Sequence, residues 1–167
     1  MPLNYELPEH DFISYLHEIF EYKDGQLIRR KTLGGQKRGS VAGSKHWTGY
    51  WIVRVRNKLY QRSHIIWALC KGAMPEEIDH IDQDKDNEDI TNLRIASRHQ
   101  NCANRQKWMG REKYKGVYET RNGKFSAQIT CKGVRETLGT FSTPEEARDV
   151  YDARAKELFK EFASPNA

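Results

Sequence analysis

The stretch 77-EIDHIDQDKDNEDITN-92 sets seven carboxylates around a single histidine, in a chain of 167 residues whose formal net charge is +5. Its surroundings sharpen the contrast. From Gly25 to Pro75 there are eleven Lys or Arg and not one Asp or Glu, whereas the fourteen residues Glu76 to Asp89 hold eight acids against one Lys. Trp47, Tyr50, Trp51, Asn57, Tyr60 and Gln61 are interleaved with the basic residues, a mixture suited to a nucleic-acid surface. An acidic cluster beside such a surface repels phosphates unless a divalent cation intervenes. The pattern therefore points to metal-dependent chemistry on a polyanion.

Two other readings of the acidic stretch compete with this one. Asp82, Asp84 and Asp86 stand at positions 1, 3 and 5 of a calcium-binding helix-loop-helix site, but position 6 is Asn87 where the turn wants Gly, and position 12 is Leu93 where a bidentate Glu should close the site. A turn merely shaped and solvated by its acids accounts for the Asp and Asn content but not for the Asp79-His80 pair. Composition excludes other classes. With 37% apolar and 31% charged residues and no apolar run near the length of a spanning helix, the chain is expected to be soluble, cytoplasmic and free of membrane contact. MPLNYELPEHDF lacks the basic-then-apolar layout of a secretory leader. Cys70, Cys102 and Cys131 form no C-x-x-C pair, which argues against a disulfide framework or a zinc knuckle.

Periodicity places the elements. Phe12, Ile13, Leu16, Ile19 and Phe20 predict a helix over Glu9 to Tyr22. Strands are predicted at Gly25 to Arg29, at Tyr50 to Arg56 with Trp51, Val53 and Val55 inward, and, after an Asn57-Lys58 turn, at Leu59 to Arg62. Ser63 is the expected cap of a helix running to Lys71 and stopped by Gly72 and Pro75. Beyond the acidic loop come a strand at Leu93 to Ala96 and a helix capped by Ser97. Arg54, Arg56, Lys58, Arg62 and Arg105 are the candidate DNA contacts of this half.

The segment Ser63 to Arg105, SHIIWALCKGAMPEEIDHIDQDKDNEDITNLRIASRHQNCANR, resembles the HNH family of endonucleases, through G-x-x-P, D-H-x-D, N-L-R and a closing helix with Asn. The resemblance implies a beta-beta-alpha-metal motif gripping one divalent cation, Mg²⁺ or Mn²⁺, against the scissile phosphate. It makes His80 the general base, Asp79 and Asn101 the metal ligands, and Asn92 the residue that orients the histidine. Asn104, one turn beyond Asn101, rivals it as ligand. His64 is either packed against the strands or set toward phosphate, and His99 is expected at the surface. The chemistry fits these residue types. Hydrolysis needs a water relieved of its proton near neutral pH, which suits a neutral imidazole, and hard oxygen ligands leave most positions on Mg²⁺ open to water and phosphate. Neighbours on a strand face opposite ways, so Asp79 and His80 can serve one phosphate only if the strand bends or ends there.

After a basic linker at 107–113, strand signals at Gly116 to Glu119, Lys124 to Cys131 and Val134 to Phe141 are punctuated by Asn122-Gly123 and Lys132-Gly133. Thr143, Pro144, Glu145 and Glu146 open a helix whose stripe Ala147, Val150, Tyr151, Leu158 and Phe162 should cover the sheet. K-G-V, G-K-F-x-A-Q-I, L-G-T-F-x-T-x-E-E-A and Y-D-A-x-A resemble the AP2 DNA-binding domain, which also occurs attached to HNH homing endonucleases. That resemblance implies a sheet lying in the major groove. Tyr118, Thr120, Asn122, Thr130 and Thr137 stand where plant members usually carry Arg or Trp, and Lys115, Arg121, Lys124, Gln128 and Arg135 are the candidate DNA contacts. The expected fold is α+β: an HNH nuclease domain over 1–106 and an AP2-like three-stranded antiparallel sheet packed on one helix over 114–167. The expected function is a phage-type, site-specific homing endonuclease acting as a monomer on double-stranded DNA. The alternative is a non-catalytic DNA-binding or regulatory protein with an HNH remnant.

Overall fold

A computed structural model of the chain describes residues 8–104, 113–164 and 166. The chain divides into two compact units, Met1–Ile95 and Ala96–Ala167. The first opens with α1, Glu9–Ile19, which buries Ile13, Leu16 and Ile19 and carries Glu9 and Asp11 in its first turn, where the helix dipole favours acids. The predicted helix continues to Tyr22. Instead the chain leaves the helix at Phe20, because an antiparallel partner is available: β1 (Phe20–Lys23) folds back on β2 (Gln26–Arg29) through Asp24 and Gly25, both with positive φ.

A three-stranded antiparallel sheet follows in the order β3 (Ser44–Lys45), β4 (Trp51–Val55), β5 (Lys58–Gln61). Its second turn is Arg56-Asn57, one residue earlier than predicted. Both residues adopt positive φ, the requirement of a two-residue hairpin turn. Val53 and Val55 point into the core as the alternation predicts. The next helix, α2, runs Arg62–Lys71 from Gln61 and ends at Gly72, whose φ of 76° supplies the left-handed C-terminus. Ser63 is not its cap: it lies inside the first turn, buried. Three-residue strands β6 (Ile78–His80) and β7 (Leu93–Ile95) pair antiparallel on either side of the acidic loop. Leu16, Phe20, Leu27, Val53, Ile65, Ile66, Ile78 and Leu93 share one core.

The second unit begins with α3, Arg98–Asn104, where Ser97 and Gln100 exchange side-chain bonds to each other's backbone amides. The sequence reading puts this helix with the nuclease unit; in packing it belongs with the second, against α4 and the turn that follows it. Strands β8 (Val117–Glu119), β9 (Phe125–Cys131) and β10 (Val134–Phe141) form an antiparallel sheet in the order β10-β9-β8. Helix α4, Pro144–Phe159, starts with a full capping box between Thr143 and Glu146 and lays Ala147, Tyr151, Ala155 and Phe159 inward. Phe162, predicted on the same helical stripe, is buried from a 3-10 turn, Lys160–Phe162. No helix among the described residues is long and apolar enough to cross a membrane.

Candidate active site

Strand β6 ends on the pair the sequence singles out. Asp79 and His80 are 4% and 5% exposed, a depth at which a charged or polar group has to be paired. Asp79 stands opposite Arg94 in the β6–β7 register, and Arg94 donates to its Oδ2 from Nε at 2.8 Å and Nη2 at 2.7 Å. The strand stops after His80: Gln83 N donates to the His80 carbonyl at 3.0 Å and Ile81 N to the Asn92 carbonyl at 2.9 Å. Tyr50 lies alongside, its ring 6.2 Å from the His80 ring, centre to centre. Burial pushes the His80 imidazole below its usual pKa, with Asp79, Asp82 and Asp84 opposing, so the ring is neutral at neutral pH.

The acids beyond His80 have specific partners. Asp82 and Asp84 each accept a backbone amide two residues on, from Asp84 and Asp86, both at 2.9 Å, and Asp89 does the same for Thr91 at 2.8 Å. Asn92 draws the loop together. Its Oδ1 accepts from the Asp82 amide at 3.1 Å, and its Nδ2 donates to Asp82 Oδ1 and to the Asn87 carbonyl, both at 2.8 Å. Desolvation opposes ionisation of Asp82, but bonds from Asn87, Asn92 and the Asp84 amide hold its carboxyl below the usual range.

Other acids reach back to the basic strands. Lys45 Nζ meets Asp86 at 2.6 Å, Trp51 Nε1 donates to the same carboxylate at 2.8 Å, and Tyr22 donates to Asp89 at 3.4 Å. Glu88 is buried against Arg62, whose guanidinium also lies 4.2 Å over the Trp51 ring. The loop thus concentrates acids because the strands beside it supply cations and donors, and Glu88, 2% exposed, does more than solvate a turn.

Of the other sequence-predicted residues, Arg54, Arg56 and Lys58 are exposed around the β4–β5 hairpin, Arg56 lying 4.4 Å over the Tyr15 ring. Arg62 is corrected as a DNA contact: it is 5% exposed and committed to Glu88 and the Ala42 carbonyl. Arg105 lies outside the described residues, as do 107–112 of the expected linker. On α3, Asn101 is half-buried and Asn104 buried. Lys115 turns inward, donating to the Ala103 carbonyl at 2.6 Å, and burial lowers its pKa, so it too is withdrawn from the open surface. Arg121, Lys124 and Arg135 are exposed; Gln128 is half-buried with its amide 3.4 Å from the Ser126 hydroxyl. His99 is exposed, and His64 is packed in, its Nδ1 buried without a hydrogen-bond partner among the described residues.

Sequence reasoning names Tyr50 only among the aromatics of the basic stretch and singles out neither Arg94 nor Glu88. The N-L-R triplet held the signal for Arg94, since pairing D-H with N-L-R across a short hairpin puts Arg94 opposite Asp79.

As a cation ligand, the Asp79 carboxylate fits a hard divalent ion. Among the described residues no three His, Cys, Asp or Glu side chains converge on a common metal position.

Residues 60–103 match the HNH endonuclease family model. The chain is 31% identical over 121 residues to an uncharacterized HNH endonuclease of Acanthamoeba polyphaga mimivirus, an alignment covering 71% of this chain and 63% of that protein's length. No solved structure matches. Around Asp79 and His80, therefore, the chain carries a segment similar to HNH endonucleases.

Proposed function

We propose that this chain is a metal-dependent, site-specific DNA endonuclease of the homing type. The observation that carries this reading is the buried Asp79-His80 pair at a strand end, inside the segment similar to HNH endonucleases. His80, kept neutral by burial, takes a proton from the attacking water. Asp79 would hold Mg²⁺ or Mn²⁺; the resemblance implies Asn101, which lies in the second compact unit, as the second ligand. Bound there, the cation offsets charge growing on the phosphate and on the leaving oxygen. Arg94 fixes Oδ2 of Asp79 and thereby sets the direction of the carboxylate. Asn92, expected to orient His80, bonds instead to Asp82 and the Asn87 carbonyl, so it acts one step removed from the chemistry, holding the loop that leaves His80. The three-stranded sheet of the second unit, AP2-like in sequence, supplies affinity and placement on double-stranded DNA through Arg121, Lys124, Gln128 and Arg135, and the protein works as a monomer.

A non-catalytic DNA-binding protein is the second reading, favoured by the Asp79–Arg94 ion pair, which balances the buried carboxylate without any cation. Incubation of the purified chain with phage and plasmid DNA, in Mg²⁺ and in chelator, separates the two. Cutting in Mg²⁺ that chelator stops, and that His80→Ala slows by about 10²–10⁴-fold with DNA affinity unchanged, is the expected outcome. DNA binding without cutting establishes the second reading instead.

A further inference from the structure

Trp47 is 89% exposed, the most exposed large apolar side chain among the described residues, followed by Val134 at 71%. Single exposed apolar residues are ordinary on a protein surface. The setting of this one is not. The segment joining β3 to β4 is a closed turn: His46 N donates to the Tyr50 carbonyl at 2.8 Å and Gly49 N to the His46 carbonyl at 2.9 Å. Inside it, His46 Nδ1 and Thr48 Oγ1 lie 2.9 Å apart, and Gly49 takes a φ of 86° that few other residues would accept. The acidic loop braces it from outside, where Lys85 donates to the Thr48 carbonyl at 2.9 Å and stands 4.0 Å over the Tyr50 ring. The indole is thus held out on an ordered support, with the tilted His46 ring 5.3 Å away, centre to centre.

Two further observations say what such a group meets. The turn lies within the acid-free stretch Gly25 to Pro75, with Lys85 set against it from the acidic loop and Lys45 beside it paired with Asp86. Tyr50, which closes the turn, sits 6.2 Å from the His80 ring. Three residues of chain span at most about 11 Å, and the side chains at either end add to this, so Trp47 lies within about one turn of duplex, roughly 34 Å, of His80.

The geometry points to Trp47 as a DNA contact, its indole wedging at a base step of the duplex within a turn of the phosphate that His80 serves. This rests on the nuclease reading and adds to it a binding element independent of charge. The turn beneath the ring is ordered before binding, and an apolar wedge at a base step does not depend on which bases flank it. Trp47 thereby adds grip near the cut without reading sequence.

The test uses the full chain, Trp47→Ala and Trp47→Phe, with a short labelled duplex spanning a site that the wild type cuts, in chelator, across a salt series. Trp47→Ala is expected to bind about tenfold more weakly or worse, with Trp47→Phe recovering most of the loss. Because no ionic contact is removed, the slope of log affinity against log salt stays that of the wild type. The indole makes no core contact, so all three proteins should melt together. Wild-type affinity in Trp47→Ala, while the wild type still cuts DNA in Mg²⁺, overturns the assignment and leaves the nuclease reading standing. A loss of affinity that comes with a shallower salt slope also overturns it. A wild type that neither binds nor cuts any DNA overturns both.

Discussion

The acidic loop of the first unit and the sheet of the second hold their shapes in different ways. The loop depends on partners distant in sequence: Asp86 on Lys45 and Trp51, Glu88 on Arg62, Asp89 on Tyr22, separations of 26 to 67 residues. The sheet depends on neighbours. Strands β8, β9 and β10 follow one another through short turns, and the helix behind them is started by a cap within four residues. Long-range polar ties fix a loop only if every charged member keeps its partner, because a buried charge left alone costs more than the pair contributed. Local hairpins and an apolar helix face fail by steric insult instead.

Arg62→Ala probes the first mode most directly. It leaves Glu88 buried and uncompensated, a change of the kind that costs about 3–5 kcal/mol. The expected outcome is loss of hydrogen-exchange protection at Val53, Ile65 and Ile66, with Ile129 unaffected. Equal loss at Ile129 would break the distinction between the two regions. Restoring an apolar pair, Arg62→Met with Glu88→Leu, should recover much of the stability, as replacements of buried ion pairs often do.

Gly116→Ala is the counterpart in the second unit. Gly116 has a φ of 74°, and a Cβ there would meet the Tyr151 ring at 2.1 Å. Overpacking at roughly 1–3 kcal/mol and a left-handed penalty of about 1–2 kcal/mol act together. Protection should fall at Ala127 and Ile129 while Val53 keeps its own.

The smallest effect is one of pH. Burial holds the His64 imidazole below its usual pKa, against the Glu76 backbone bond and the charge of Glu77. His80 is shifted the same way. A lowered pKa means that, as pH falls through the ordinary histidine value near 6.5, the unfolded chain takes up protons that the folded chain refuses. Stability is therefore whole above that value and declines below it, until the folded groups titrate. Melting curves between pH 7.5 and 5 should show a smaller drop for His64→Gln than for the wild type, and equal drops would remove His64 from the account.

Legibility followed the same divide. In the second unit the strand ends, both hairpin turns and the Thr143 cap could be read within a residue or so, since each depends on residues adjacent in sequence. In the first, helical periodicity runs through β1 and the sequence carries no signal for β3, because a two- or four-residue strand exists only when a partner strand satisfies its backbone. Candidate DNA contacts divided by burial, which charge alone does not report. Arg54, Arg56 and Lys58 stay outside, whereas Arg62 and Lys115, with the same chemistry, are drawn in by a carboxylate and a carbonyl.

By itself the sequence determined where chemistry could lie: a D-H pair, an N-L-R triplet and an acid-rich turn beside an acid-free basic stretch. Residue type and spacing suffice for that, because a side chain's acid–base character is intrinsic before any environment modifies it. Only the tertiary structure decided which charges are paired, which are buried and which face solvent. It set Arg94 on Asp79, buried Glu88 against Arg62 and left Trp47 exposed. Those outcomes depend on desolvation and on contacts between residues far apart in the chain, neither of which any short window of sequence contains.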